Sequence, residues 1–293
     1  MVMLQMTPAA APPTAARPLG ADEFKLFQDL IYRDAGIRLS DAKKALLVGR
    51  LSARLRALGL SSFREYHAYV TRVDESERVT MLDCITTNET RFFREPQQFE
   101  FLEQRLIPAW KNAALSGARQ RRIRVWSAAC STGEEPYALA MTLLSHFPRE
   151  SGWSVEILAS DISTRVLARA REGAYPEDRT REIPPSLLKR FMIRGREADP
   201  RFRVSSEIRA AVKFERINLM KDNYPASGPF DLIFCRNVLI YFDTASKNHV
   251  IGRLTSRLDP GGCLFLGHAE SILGMSSNLR RVGPTIYAPG LSA

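Results

Sequence analysis

The sequence predicts an α/β protein: a doubly wound, mostly parallel sheet with a small antiparallel β-insert, preceded by an all-α N-terminal domain. Two observations carry this. From Asp22 to Cys84 the apolar residues recur at helical spacing, with no strand pattern among them. From about Arg122 onward short apolar runs alternate with helical segments, the rhythm of βαβ units. A chain of 293 residues with 45% hydrophobic and 25% charged content has the size for two domains and the composition of a soluble globular protein.

Met1 to Gly20, rich in Ala and Pro, reads as a disordered tail; it lacks the basic start and apolar block of a secretory signal. Residues 21–85 form the helical, basic domain, with helices expected near 22–35, 41–58, 62–72 and 75–85. In the second, Ser40-Asp41 offers a cap, Gly59 a stop, and Leu47, Leu51, Leu55 and Leu58 an apolar stripe. Between Arg38 and Arg64 seven basic residues face one acid, Asp41, and Lys43, Arg50 and Arg54 form a row beside the stripe. Such a row is either a solvated face or a surface for an acidic partner.

Residues 86–121 read as a linker and connecting helix, and 122–293 as the sheet domain. Ile123–Trp126 is the first strand, followed by a helix from Pro136 to Phe147. Val155–Ala159 is the second strand, with a helix from Ser163 to Arg171 after it. Alternation at Arg201–Val204 and Val212–Phe214 suggests the β-insert, at about 195–214, leading into a strand at Phe214–Ile217. Leu232–Cys235 and Cys263–Leu266 are apolar enough for central parallel strands, and Thr285–Ala288 closes the sheet.

Several classes are excluded. No run of 18 apolar residues exists to span a bilayer. The four cysteines, Cys84, Cys130, Cys235 and Cys263, form no C-x-x-C pair, which suggests free thiols in a reducing cytoplasm and no metal site. Neither G-x-G-x-x-G nor G-x-x-x-x-G-K-[ST] is present, so nucleotide phosphates and nicotinamide dehydrogenation are disfavoured.

The polar residues collect where strands should end, the usual place for ligands in open α/β sheets. After the first strand comes Ser127-Ala128-Ala129-Cys130-Ser131-Thr132-Gly133-Glu134-Glu135-Pro136, where two carboxylates stand in the place a pyrophosphate would occupy. A cationic ligand with hydroxyl groups and no phosphate, such as S-adenosylmethionine, fits; the plain alternative is that both acids serve the helix dipole. Asp161 ends the second strand, placed either for ribose hydroxyls or as a helix cap. Asn218-Leu219 follows the next strand, as an adenine-reading amide or a turn. Arg236, Asn237 and Tyr241 follow Cys235. Ahead of the sheet, Asn88, Thr90 and Arg94 put polar groups at even spacing through Thr86–Glu95.

Together N-x-T-x-F-F-R, S-T-G-E-E-P-Y, A-S-D-I, P-F-D-L-I-F-C-R-N-V-L-I-Y-F and G-G-x-L-F-L-G-H-A-E, in this order, resemble the chemotaxis receptor methyltransferases, the CheR family. The resemblance runs from about residue 22 to 288. It implies a class I methyltransferase fold that transfers methyl from S-adenosylmethionine to receptor glutamates, giving γ-glutamyl methyl esters. It also implies a cofactor site of Asn88, Thr90, Arg94, Glu135, Asp161, Asn218, Leu219, Arg236 and Asn237, with Arg94 and Tyr241 beside the reacting methyl group. By resemblance and charge, Lys43, Arg50 and Arg54 would contact the cytoplasmic helices of the receptor. A cytoplasmic monomer without metal, membrane insertion or nucleic-acid partner is expected.

The family's tether-docking members carry a glycine-rich loop in the insert; Met192–Pro200 here has only Gly195, which suggests a tether-independent enzyme. Two rivals are a nucleic-acid methyltransferase, disfavoured by the lack of a [DN]-P-P-[YFW] segment or a Pro-Cys pair, and a non-catalytic cofactor-binding signalling module, disfavoured by the intact Arg94 and Tyr241.

Overall fold

The computed structural model describes residues 18–272 and 278–290, so most of the expected tail at 1–20 lies outside the described residues. The chain divides into two compact units, residues 39–85 with those before Asp34, and Asp34–Arg38 with the chain from Thr86 onward.

The first unit is helical: α1 (Ala21–Ala35), α2 (Lys44–Ala57), α3 (Phe63–Arg72) and α4 (Glu75–Ile85). The apolar stripe of α2 is buried at Leu47, Leu51 and Leu55. Ser40 makes no side-chain cap; Asp41–Lys43 is instead a single 3-10 turn leading into α2. The stop at Gly59 is formed as expected, with φ +67°. Its N–H reaches the Arg56 carbonyl and that of Leu60 the Leu55 carbonyl, the paired bonds that close a helix on a left-handed residue. Ser62 caps α3 by accepting from the Glu65 N–H, while the Glu65 carboxylate takes the Ser61 N–H.

The basic row of α2 is used internally. Arg54 forms a two-pronged pair with Glu77, at 2.9 and 2.5 Å, and the Tyr66 hydroxyl donates to the same carboxylate at 2.8 Å. The hydrogen bond to Glu77 holds the Arg54 guanidinium above its ordinary value. Arg50 donates to the Ile85 carbonyl, whereas Lys43 is exposed.

In the second unit α5 (Pro96–Phe101) continues through a π-helical turn at Leu102–Leu106 into α6 (Ile107–Leu115). Then follow β1 (Arg122–Ala128), α7 (Glu134–His146), β2 (Ser154–Asp161), α8 (Thr164–Glu172), β3 (Ala174–Tyr175), α9 (Pro185–Phe191), β4 (Met192–Arg194), β5 (Phe202–Val204) and α10 (Ser206–Ala211). The unit closes with β6 (Val212–Arg216), β7 (Phe230–Cys235), α11 (Thr244–Thr255), β8 (Leu258–Leu266), β9 (Leu279–Gly283) and β10 (Ile286–Pro289).

Seven strands make one sheet in the order β6-β2-β1-β7-β8-β10-β9. The first five are mutually parallel, and β10 runs antiparallel to both β8 and β9. The order reverses at β1, between β2 and β7, so the chain leaves β1 and β7 in opposite senses and opens a crevice at their carboxyl ends. On one face of the sheet Phe234 stacks on Phe265, with ring centroids 4.3 Å apart; on the other Trp126 packs against Tyr224 and Phe230.

The small antiparallel sheet is β3-β5-β4. It therefore starts at Ala174, well before the expected 195, and Val212–Phe214 does not belong to it. That segment is the outer parallel strand β6, paired with β2 in register Ile157↔Val212. As an edge strand it alternates apolar and charged residues through Val212-Lys213-Phe214-Glu215, which mimics an antiparallel ribbon in sequence.

Candidate active site

Three loops meet at the carboxyl end of β1, β2 and β7. The first runs from Ala129 to Gly133, into α7. Its turns require left-handed backbone at Ala129, Ser131 and Gly133 (φ +68°, +50° and +96°). A Cβ on Gly133 would lie 2.9 Å from both the Ala170 Cβ and the Tyr175 hydroxyl, so glycine is demanded by packing as well as by φ. Asp161, at the tip of β2, fixes this loop: one carboxylate oxygen accepts the Ser131 N–H at 2.9 Å and the other that of Ser163 at 2.9 Å. The cap of α8 is the Ser163 hydroxyl, which takes the Val166 N–H, so Asp161 is not the cap.

Glu134 and Glu135 are both buried, in separate pairs. Glu134 accepts from Arg179 and from the Thr132 hydroxyl, at 2.7 and 2.6 Å. Arg179, in the turn after β3, also donates to the Thr90 carbonyl at 2.7 Å, so it ties three segments together. Glu135 accepts from the Ser127 hydroxyl and from Arg236 Nε, each at 2.7 Å.

Arg236 follows β7, and its side chain is 2% exposed. Besides Glu135 it donates to the Arg94 carbonyl at 2.6 Å and to Gln98 Oε1 at 3.1 Å. Glu95 Oε2 stands 3.7 Å from it and has no hydrogen-bond partner. The Phe99 and Phe234 rings flank the guanidinium. Backbone strain gathers in the same place: Phe93, Glu95 and Asn237 all have positive φ (50°, 61° and 58°). Left-handed non-glycine residues cost energy and persist where surrounding contacts over-determine them.

The predicted residues thus fall into distinct situations. Glu135, Asp161 and Arg236 are buried at the crevice, with Asn88, Thr90, Arg94, Asn237 and Tyr241 half-buried. Ser131 donates its hydroxyl to the Asn88 carbonyl, which holds the 86–95 segment on the β1 loop. The Arg94 guanidinium donates to the Glu89 carbonyl, and it forms no hydrogen bond with Tyr241 among the described residues. Asn218 is engaged at both ends: its amide nitrogen donates to the Asp34 carbonyl at 2.5 Å, and its oxygen accepts the Met220 N–H at 3.0 Å. Leu219 is buried.

Glu95, Gln98, Ser131, Arg179 and Glu270 belong to the network and were not singled out from sequence. Glu270 ends the quoted G-G-x-L-F-L-G-H-A-E motif and Glu95 directly follows N-x-T-x-F-F-R, so their places beside the motifs are the signal that could have found them. Burial raises the Glu270 carboxyl, against four backbone N–H groups that lower it.

The chemistry of this donor set suits a cationic, hydroxyl-bearing cofactor. The carboxylates of Glu95, Glu134, Glu135, Asp161 and Glu270 are all buried, and Glu95 Oε2, 3.7 Å from Arg236, accepts no hydrogen bond among the described residues. No three His, Cys, Asp or Glu side chains are placed to hold a metal among the described residues.

A family model described as "CheR methyltransferase, SAM binding domain" matches residues 88–288, and one described as "CheR methyltransferase, all-alpha domain" matches 22–86. This chain belongs to the CheR methyltransferase family. Among curated relatives of this family, a chemotaxis protein methyltransferase 2 from Pseudomonas aeruginosa is 40% identical, over 92% of this chain and 93% of its own. Chemotaxis protein methyltransferases from Borreliella burgdorferi and Escherichia coli are each 38% identical. They cover 91% and 98% of this chain, and 93% and 95% of their own. A solved glycopeptide N-methyltransferase with bound S-adenosylmethionine is far more distant, at 19% identity and a TM-score of 0.32 over 62% of this chain and 59% of its own, too little to argue from. The CheR match spans both units.

Proposed function

We propose that this CheR protein transfers methyl groups from S-adenosylmethionine to glutamate side chains of chemoreceptors, giving methyl esters. The observation that carries this reading is the set of buried acids at the reversal point of the sheet, built from the CheR motifs in a chain that matches the two family models over residues 22–86 and 88–288.

S-adenosylmethionine would supply an activated methyl group on a sulfonium. Asp161, held by the Ser131 and Ser163 amides, is placed for hydroxyl groups at the tip of β2. Asn88, Thr90, Glu135, Asn218, Leu219, Arg236 and Asn237 complete the proposed cofactor site. Arg236 acts from behind: its side chain is committed to Glu135, Gln98 and the Arg94 carbonyl, so it holds the Arg94 backbone in place.

The nucleophile belongs to the substrate. A glutamate with a pKa near ~4.3 is ionised at neutral pH, so no base has to take a proton. The chain's task is alignment, which can contribute roughly 7–11 kcal/mol when groups are well oriented. Arg94 and Tyr241 are assigned to the substrate carboxylate; the Tyr241 hydroxyl forms no hydrogen bond among the described residues and is available to donate. Closure over the substrate would strip water from a carboxylate and a sulfonium that neutralise each other in the displacement.

Lys43, Arg50 and Arg54 are proposed receptor contacts. Because Arg54 is already neutralised by Glu77, Lys43 contributes the most accessible charge of the three.

The test is transfer of labelled methyl to receptor-containing membranes, followed by mild base. Release of volatile methanol is the expected result. Label that resists base would place the methyl on nitrogen or carbon and end this reading.

A further inference from the structure

Glu270 lies just beyond β8, in the G-H-A-E motif, and is 4% exposed. One carboxylate oxygen accepts the N–H groups of Gly267 at 2.7 Å and Asn237 at 2.8 Å. The other accepts those of Leu239 at 2.7 Å and Ile240 at 3.3 Å. Three of these donors belong to the loop after β7, whose 3-10 turn Leu239–Tyr241 has no side-chain cap of its own. The first N–H groups of any helical turn lack internal partners. Here a carboxylate from a different strand end supplies them.

The same contact sets two further features. Asn237 sits at φ +58°, in the left-handed region that asparagine tolerates better than most side chains, and the Glu270 contact to its N–H helps retain it there. A Cβ on Gly267 would come within 2.6 Å of Asn237 Nδ2, 2.9 Å of its N and 2.9 Å of Glu270 Oε2, so the loops after β7 and β8 touch at backbone distance. Burial holds the turn only at Leu239, which is 2% exposed; Ile240 is 50% exposed and Tyr241 half-exposed, so their backbone positions depend more on the Glu270 carboxylate.

We propose that Glu270 is a positioning residue for methyl transfer: its carboxylate clasps the Asn237–Ile240 backbone and so fixes Asn237 against the cofactor and Tyr241 against the substrate. The proposal rests on the assignment of those two residues above.

The test uses the full chain with Glu270→Gln, which keeps the size but turns an NH2 group toward N–H donors. Hydrogen–deuterium exchange should accelerate in peptides covering 236–241 and 267–270 while β1 and β2 stay protected. Turnover should fall about 10- to 100-fold, the scale expected for misplacement of reacting groups by about 1 Å, with KM for the receptor changed less than about threefold. Unchanged exchange at 236–241 would overturn the clasp. Faster exchange with normal turnover would reduce Glu270 to a stabilising contact and overturn the positioning role. Asn237→Ala and Tyr241→Phe are measured alongside. If both turn over normally, the site assignment falls and the positioning claim with it, while the exchange data still report on the clasp. Should E270Q not fold, Glu270→Asp, which keeps the charge and shortens the reach, carries the same two measurements.

Discussion

Arg236 shows how one residue can be legible as important while its role stays hidden. The sequence marks it by its place at the end of an apolar strand. Its partner Glu135 lies 101 residues away, and only the adjacency of β1 and β7 brings them together. Removing one member of a buried pair strands the other's charge, so Arg236→Ala should cost about 3–5 kcal/mol, read from urea denaturation. Glu135→Gln combined with Arg236→Met should cost clearly less than the sum of the single changes. Arg94 differs, since it is half-exposed and among the described residues its guanidinium bonds the Glu89 carbonyl alone. Arg94→Ala should leave folding close to wild type, weaken cofactor binding and lower turnover by about 10-fold or more. Near-normal turnover would remove it from the reaction. Three of the cysteines are inert for a physical reason: burial raises Cys263 to about 11 and Cys130 and Cys235 well above the ordinary range, whereas Cys84 is only half-buried. A thiol reagent at pH 8 should therefore titrate a single cysteine in the native protein, and all four in denaturant.

Elements were legible in proportion to how local their signal is. The four helices of the first unit fall within about three residues of expectation, because the spacing of Leu47, Leu51 and Leu55 needs no distant partner. The β-insert was misplaced because β3 and β4 span two and three residues, too few for alternation to register. The edge strand β9, with Arg280 and Arg281 exposed at its middle, carries no apolar run and was missed. Glutamates 134 and 135 were read as a dipole effect or a ligand contact, yet each is locked in a pair by a residue from another loop. The loop before α7 depends on Gly133 for both φ and space. Gly133→Ala should cost about 1–3 kcal/mol, which for a domain of this size lowers Tm by several degrees in calorimetry. An unchanged Tm would mean that the loop can relax away from Ala170.

Across the whole molecule, phenols set the alkaline limit of stability. Tyr66, Tyr137, Tyr175 and Tyr224 are buried, and burial raises each above its ordinary value, Tyr137 to about 12. An unfolded chain releases these protons near pH ~10, while the native chain keeps them to higher pH. The native state then holds more protons, so stability must fall as pH rises through that window. Urea midpoints should be level up to about pH 9.5 and drop steeply by about pH 11.5, with phenolate absorbance at 295 nm appearing together with unfolding. A level midpoint throughout would show that the phenols ionise without unfolding. At this scale the sequence was most readable, because strand–helix alternation and the order of the motifs are properties of the chain as a string. The excess of positive charge was the least readable, since part of it, as at Arg54 and Arg236, is spent on internal carboxylates.

The clasp has a bearing on how the protein is made. Asn237, Leu239 and Ile240 wait for an acceptor that is translated some thirty residues after them. A chain emerging from the ribosome can therefore complete β1, β2 and β7, with Arg236 already paired to Glu135, while the loop that carries Tyr241 is still unrestrained. Vectorial synthesis thus leaves the proposed catalytic geometry until late, and a nascent chain should be competent only once the segment through Glu270 has cleared the exit tunnel.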